Sequence, residues 1–265
     1  MKYKLLALDM DDTILSEDLS ISPKNIEAIR AIEASGVKII LCSGRPYASM
    51  VRYLDVMGIH SEEDYIVSFN GAVINRISGE EIFSGIIEGP ILHELIDLGR
   101  DHKISVQLYN TELKVEAYNE RAKHYEELTG MKATLVEDLK TIPRSVKVLY
   151  NHVAGDDLEA LRLKLVELYE DRFNIFYSKP NYIEVLNKLS SKGLAVAYLA
   201  EQLGIKQEEV AVMGDGFNDV SMISYAGLGV AVANAPDGVK EHANYVTIAD
   251  HNQDAVWEVY EKFFK

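Results

Sequence analysis

Residues 5–8, Leu-Leu-Ala-Leu, form an unbroken apolar run that passes into Asp9-Met10-Asp11-Asp12-Thr13 with no Gly or Pro between. A run this short and uninterrupted predicts a strand covered on both faces, as in parallel sheets. Beyond the acidic loop, Ser22 and Pro23 supply the cap and first turn of a helix reaching about residue 35, and Gly36 ends it. Residues 37–42 predict a second strand, β-branched and apolar, that ends in Ser43-Gly44-Arg45-Pro46 before a helix over about 47–57. Residues 65–69 predict a third strand running into Asn70-Gly71-Ala72. Strand, helix, strand, helix, strand implies an α/β fold with a doubly wound parallel sheet. Polar residues gather where each strand ends, and ligands of such sheets bind beyond the carboxyl ends of the strands.

The pattern changes in the middle of the chain. A helix near 90–102, strand-like stretches at 105–110 and 113–119 separated by Thr111-Glu112, a helix at 120–129, a strand at 146–150, a helix at 158–169 and strands at 174–177 and 182–186 fit an α+β insertion built on antiparallel hairpins. The α/β pattern then resumes. Ser191-Lys192-Gly193 opens an apolar helix that stops at Gly204, and the buried strand 210–213 ends in Gly214-Asp215-Gly216-Phe217-Asn218-Asp219. Segments 229–233, 239–242, 245–248 and 253–264 close the sheet. The expected organisation is a core made of residues 1–83 and 187–265 with an inserted domain at 84–186.

Composition narrows the function classes. A chain of 265 residues, 48% of them hydrophobic, can build substantial cores in one or two domains. The net charge of −15, with no basic tract, argues against a nucleic-acid partner, because affinity for a phosphate backbone comes from clustered Lys and Arg. The single cysteine, Cys42, allows no internal disulfide and no Cys-rich zinc site, and its apolar strand makes it an inert core thiol. The N-terminal apolar run meets acids at once and so lacks a signal-peptide pattern. No stretch approaches the roughly 20 apolar residues that span a membrane. A cytoplasmic protein with no membrane partner is expected.

Asp9 and Asp11, two apart at a strand end, can point to one side, and their repulsion calls for a cation or a proton to offset it. A second acidic strand end carries Asp215 and Asp219. DMDDTIL at residues 9–15, SGR at 43–45, Lys192 and GDGFND at 214–219 together resemble the four ordered motifs of the haloacid dehalogenase superfamily. SFNGA at 68–72 and the size and position of the insertion resemble its Cof-type sugar phosphatases, which carry a large cap between the second and third motifs.

The resemblance implies a Mg²⁺-dependent phosphatase of small phosphorylated metabolites, foremost sugar phosphates, on a Rossmann-like core with an α+β cap. In it Asp9 is the nucleophile that forms an aspartyl phosphate, and Asp11 is the general acid and then base. Asp9, Asp215 and the Asp11 carbonyl hold Mg²⁺, with Asp219 beside them. Lys192, Ser43, Gly44, Asn218 and Met10 serve the phosphate, while Asn70 and Arg45 are candidates for substrate contact. The cap sets specificity, with Tyr182 and Glu184 as candidates. The chain departs from the commonest pattern at Asp12, usually Gly, and at Ser43, more often Thr; Asp tolerates the positive φ that Gly suggests. Other readings stay open: a phosphomutase or phosphotransferase on the same fold, a phospho-accepting signalling module, or a non-catalytic binding protein. The expected partner is a small phosphate ester, and the chain acts as a monomer or homodimer.

Overall fold

The structure, a computed structural model, describes residues 2–61, 64–151 and 155–265. The chain folds into two compact units, Met1–Ile82 with Ser191–Lys265, and Phe83–Ser190.

The first unit begins with β1 (Leu5–Leu8), whose four side chains are all buried. Helix α1 (Pro23–Ala34) starts as anticipated: the Ser22 side chain accepts from the Asn25 amide and Pro23 occupies the first turn. Then come β2 (Lys38–Cys42), α2 (Tyr47–Met57) and β3 (Tyr65–Ser68). The third predicted strand stops one residue early because Phe69 and Asn70 have φ of 50° and 57°, left-handed values that no strand accommodates. The pattern suggested no element for residues 73–79. There the chain doubles back as β4 (Val73–Arg76), antiparallel to β3, and continues into β5 (Glu81–Ser84). The Gly79 turn, with φ 95°, joins them through an Arg76 N–H to Glu80 carbonyl bond of 2.8 Å. The sheet is thus mixed at this end.

The insertion contains β6 (Ile87–Glu88), α3 (Pro90–Asp101), β7 (Ser105–Tyr109), β8 (Leu113–Val115), α4 (Glu120–Thr129), β9 (Ala133–Leu135), β10 (Arg144–Ser145), β11 (Lys147–Asn151), α5 (Gly155–Tyr169), β12 (Phe173–Lys179) and β13 (Tyr182–Asn187). The predicted hairpin at 105–119 is present, but its second strand ends at Val115. Six strands pair in the order β12-β13-β11-β7-β8-β9. Strand alternation sorts their side chains. Val106, Leu108, Val148, Tyr150, Ile183 and Val185 pack with residues of α3 and α5 in one apolar core. The registered positions Gln107, Tyr109, Lys147, Leu149, Asn151, Tyr182 and Glu184 therefore share the other face.

The chain returns through α6 (Lys192–Gln202), β14 (Val210–Gly214), α7 (Val220–Tyr225), β15 (Leu228–Ala231), α8 (Asp237–Lys240), β16 (Tyr245–Val246) and α9 (Ala255–Phe263). The main sheet has the order β16-β15-β14-β1-β2-β3-β4-β5. It is parallel from β16 through β3. β1 lies between β14 and β2, so the first strand brings its carboxyl end alongside those of two others. Among the described residues, no helix is long and apolar enough to cross a membrane.

Candidate active site

The ends of β1 and β14 and the start of α6 bring together residues 9, 192, 215 and 219. The Asp9 amide extends the ladder by one bond, to the Met213 carbonyl at 3.0 Å, so Asp9 is held as firmly as the strand itself. The chain then turns sharply. The Met10 carbonyl accepts from the amides of Thr13, Ile14 and Leu15, and the turn needs φ of 58° at Asp12, the left-handed value that the usual Gly would adopt and that Asp tolerates. The Met10 side chain belongs to the apolar core, so only its backbone is available to a ligand. The Asp12 carboxylate lies 3.7 Å from His251 Nε2, and the Asp12 carbonyl accepts from Asn234 Nδ2 at 2.8 Å.

Lys192 is the charge centre. It is the first residue of α6, a position where sequence alone favours a solvated lysine, yet its side chain has 0% exposure. Its Nζ donates to Asp9 Oδ1 and to Asp219 Oδ1, each at 2.5 Å. Burial pulls its pKa down, but the charges of Asp219 and Asp9 outweigh that pull and raise it, so the ammonium stays charged. The approach depends on Gly71. This residue has φ of 92°, and a Cβ there would meet the Ser191 carbonyl oxygen at 2.2 Å, so only glycine lets the turn after β3 sit against the first residues of α6.

The other face of the acidic group is built by the β14 loop. Asp219 Oδ2 accepts from the amides of Asp215 and Gly216, at 3.0 and 2.8 Å, and its Oδ1 is taken by Lys192. Both Asp219 oxygens are therefore engaged. Asp215 Oδ1 accepts from Thr13 Oγ1 at 2.9 Å. Sequence reasoning assigns Thr13 no role, although it stands inside the first motif, four residues past Asp9; Asn234 and His251 carry no local signal at all. Asp9, Asp215 and Asp219 each bring a carboxylate oxygen within 4.8 Å of the others.

Crowding perturbs these acids. Burial first, then the charges of Asp219 and Asp11, push Asp9 up from 3.8 to about 7 against the pull of Lys192. Burial first, then Asp9 and Asp219, push Asp215 up to about 8. One buried ammonium does not balance three clustered carboxylates. A compact all-oxygen donor set with surplus negative charge fits a hard divalent cation such as Mg²⁺, which would keep Asp9 and Asp215 ionised at neutral pH.

Asp11 faces a different partner. Arg45 Nε and Nη2 grip its Oδ2 and Oδ1 at 2.8 and 2.5 Å, a bidentate fork of the kind guanidinium makes with carboxylate. Arg45 is buried, and its Nη1 has no partner among the described residues. The remaining candidates form a wall. Ser43 is buried, with Oγ accepting from the Arg45 amide at 3.2 Å. Its carbonyl accepts from the Asn70 amide at 2.9 Å. Asn218 Nδ2 donates to Asn70 Oδ1 at 3.0 Å, and the Asn70 side chain lies where a Gly44 Cβ would approach it to 3.1 Å. Asn70-Gly71 is thus more than a turn: one residue joins this wall and the other admits α6. Cys42 is buried and its thiol is pushed up by that burial, as an inert core thiol should be. In the insertion, Glu184 pairs with Lys147 at 3.3 Å, and Tyr182 lies half-buried on the same sheet face.

Comparison with known proteins gives this arrangement a lineage. The haloacid dehalogenase-like hydrolase family matches residues 6–259. YxeH of Bacillus subtilis, provisionally named a phosphatase, is 31% identical over 265 residues, covering 98% of each chain. YcsE of the same organism, named a 5-amino-6-(5-phospho-D-ribitylamino)uracil phosphatase, is 31% identical over 92% of this chain and 89% of its own. A haloacid dehalogenase-like hydrolase from Bacteroides thetaiotaomicron has a similar structure, with a TM-score of 0.88 and 29% identity over 99% of this chain and 100% of that one. With a match that spans both halves of the core and the insertion between them, the chain belongs to the haloacid dehalogenase-like hydrolase family.

Proposed function

We propose that the protein is a phosphatase that hydrolyses small phosphorylated metabolites, foremost sugar and polyol phosphates, through an aspartyl phosphate on Asp9. The observation that carries this is the buried Lys192 ammonium bound to Asp9 and Asp219, with Asp215 alongside, at the carboxyl edge of a parallel sheet. Lys192 takes Asp9 Oδ1, which orients the carboxylate and leaves its second oxygen to attack phosphorus. The P–O bond to the leaving group then breaks, and Asp11 supplies the proton that the departing alkoxide needs. Water attacks the acyl phosphate next, losing its proton to Asp11, and inorganic phosphate and the Asp9 carboxylate are regenerated.

Both Asp11 oxygens are held by Arg45, so proton transfer requires the carboxyl group to exchange this fork for the substrate. Lys192, the Ser43 hydroxyl, the Gly44 and Met10 backbone and Asn218 are the groups assigned to the phosphate oxygens. Asp9, Asp215 and the Asp11 carbonyl would hold Mg²⁺, and Asp219, with both oxygens already engaged, would brace Lys192 and the 215–216 loop behind them. The ion would supply positive charge that neutralises the phosphoryl oxygens.

The residues 84–186 are assigned as the specificity domain, acting in a cytoplasmic enzyme without nucleic-acid or membrane partners. Two relatives, YcsE at 31% and YitU at 24% identity, are named for a phosphate ester of a ribityl chain, which supports a polyol-bearing leaving group. The test is a phosphate-release screen over sugar, polyol, nucleotide and aryl phosphates with Mg²⁺ and with chelator. Metal-dependent release from sugar or polyol phosphates is expected. Absence of release from every ester, or full release in chelator, would overturn the assignment.

A further inference from the structure

The nucleophile turn is held from a part of the chain far away in sequence. Asp12 has φ of 58°, a left-handed state that a residue other than glycine keeps only where its surroundings enforce it. The loop after β15 supplies the enforcement. Asn234 Nδ2 donates to the Asp12 carbonyl at 2.8 Å across a separation of 222 residues, and Asn234 Oδ1 accepts from the His251 amide at 3.1 Å. The two bonds together fix which end of the amide faces Asp12, because turning it over would lose both. Asn234 stands on a firm base. The Ala233 amide donates to Oγ1 of the buried Thr247 at 3.0 Å, and the Ala235 amide donates to the Val232 carbonyl at 2.8 Å. A second tie joins the same region to the chain beyond the turn, where the Glu17 amide donates to Asn252 Oδ1 at 3.1 Å. All of these residues belong to the first compact unit.

The bond from Asn234 controls the peptide that precedes Asp12. That peptide is rigid and planar, so its tilt is set by the dihedrals on either side, the φ of Asp12 among them. Its oxygen is the Asp11 carbonyl. We infer that Asn234 is a positioning residue for the divalent cation: by anchoring Asp12 it keeps the Asp11 carbonyl in the orientation in which that oxygen, with Asp9 and Asp215, completes the ligand set. Asn234 is itself exposed, so its bond to Asp12 contributes little to the stability of the fold, and its value lies in the turn that it holds. The inference rests on the assignment of the Asp11 carbonyl to Mg²⁺ within the phosphatase reading and adds to it the residue that fixes this carbonyl.

The experiment compares full-length wild type with Asn234→Ala and with His251→Ala, which removes the ring but keeps the backbone amide that Asn234 Oδ1 accepts. Mg²⁺ binding to the metal-free protein is measured by calorimetry, phosphate release from phenyl phosphate is titrated with Mg²⁺, and thermal midpoints are taken in chelator. Loss of the one hydrogen bond in Asn234→Ala should weaken Mg²⁺ by about 3- to 10-fold in both titrations. Its kcat at saturating Mg²⁺ and its midpoint should stay close to the wild-type values, and His251→Ala should bind Mg²⁺ as wild type does. A merely structural role for Asn234 would instead lower the active fraction, and so kcat, with the binding constant unchanged, and that result would overturn the inference. So would equal losses of affinity in the two variants, because the packing of the His251 ring, rather than the Asn234 bond, would then hold the turn. Wild-type protein that binds no Mg²⁺ would also overturn it. Wild-type protein that binds Mg²⁺ but releases phosphate from no ester would remove the phosphatase reading, while the calorimetric comparison would still decide the role of Asn234.

Discussion

The carboxylate cluster should make the metal-free protein less stable as pH rises across neutrality, the reverse of what paired surface acids do. Asp9 is displaced upward from 3.8 to about 7 and Asp215 to about 8. Between about pH 5 and these values the folded state holds protons that the unfolded chain has already released. The slope of unfolding free energy with pH follows protons bound in the unfolded state minus those bound in the native state, so it is negative here. Acids with lowered values, such as Asp18 and Glu159, both at about 2, contribute fully above pH 5 and do not tilt this window. From pH 5 to 7 the titration of Asp9 alone accounts for a little under two pKa units, on the order of 2 to 3 kcal/mol at 1.36 kcal/mol per unit. Asp215 adds to this, with the repulsion between the two counted once. A loss on the order of 2 to 3 kcal/mol is large for a fold whose whole stability is typically about 5–15 kcal/mol. The assay is urea unfolding in chelator from about pH 5 to pH 8, repeated with saturating Mg²⁺ and with Asp215→Asn. Mg²⁺ should bind more tightly at the higher pH and flatten the profile, adding about 2.7 kcal/mol at a hundred times its dissociation constant. Asp215→Asn should lessen the fall without metal, leaving the part that the burial of Asp9 causes. A flat or rising profile for wild type in chelator, or a fall that persists unchanged in Asp215→Asn, would refute the electrostatic argument.

The other expectations concern single side chains. Asp11→Asn should slow alkyl phosphate hydrolysis by about 10²- to 10⁴-fold, while an aryl phosphate still gives a burst of phenol near the enzyme concentration and a phosphate mass on the peptide containing Asp9; equal impairment of both ester classes with no burst would remove Asp11 from the acid–base role. Lys192→Met should destabilise the fold by about 3–5 kcal/mol through its unpaired carboxylates, less so at pH 5 than at pH 8, with calorimetry as the check. Gly71→Ala should cost about 2–4 kcal/mol from its left-handed φ and the contact with the Ser191 carbonyl, and phosphate release should fall with it because α6 carries Lys192; a variant with wild-type stability and rate would contradict the close approach.

Much of this molecule is local in origin. The apolar runs at 5–8 and 210–213, the Ser22-Pro23 start of α1 and the glycine after it, Gly36, are readings of period, capping and backbone freedom, and they need nothing beyond their neighbours in the chain. The acids at the strand ends are visible for the same reason, because a buried strand that stops in carboxylates has to present them at the sheet edge. Even the Asp12 departure is readable, since the turn demands a φ that Asp can adopt. Three things are not local. Lys192 reads as a solvated residue at a helix start until the sheet order places Asp9 and Asp219 beside it, 183 and 27 residues away. β4 and β5 are short strands at one end of the sheet whose pairing, rather than their pattern, makes them strands. That Asp215 meets Thr13, that Asp11 meets Arg45 and that the Asp12 carbonyl meets Asn234 depends on which side chains the packing brings within hydrogen-bond reach. Periodicity specifies which face of an element is apolar, but charge compensation in a buried site is a property of distances between elements, and those exist only in the folded chain.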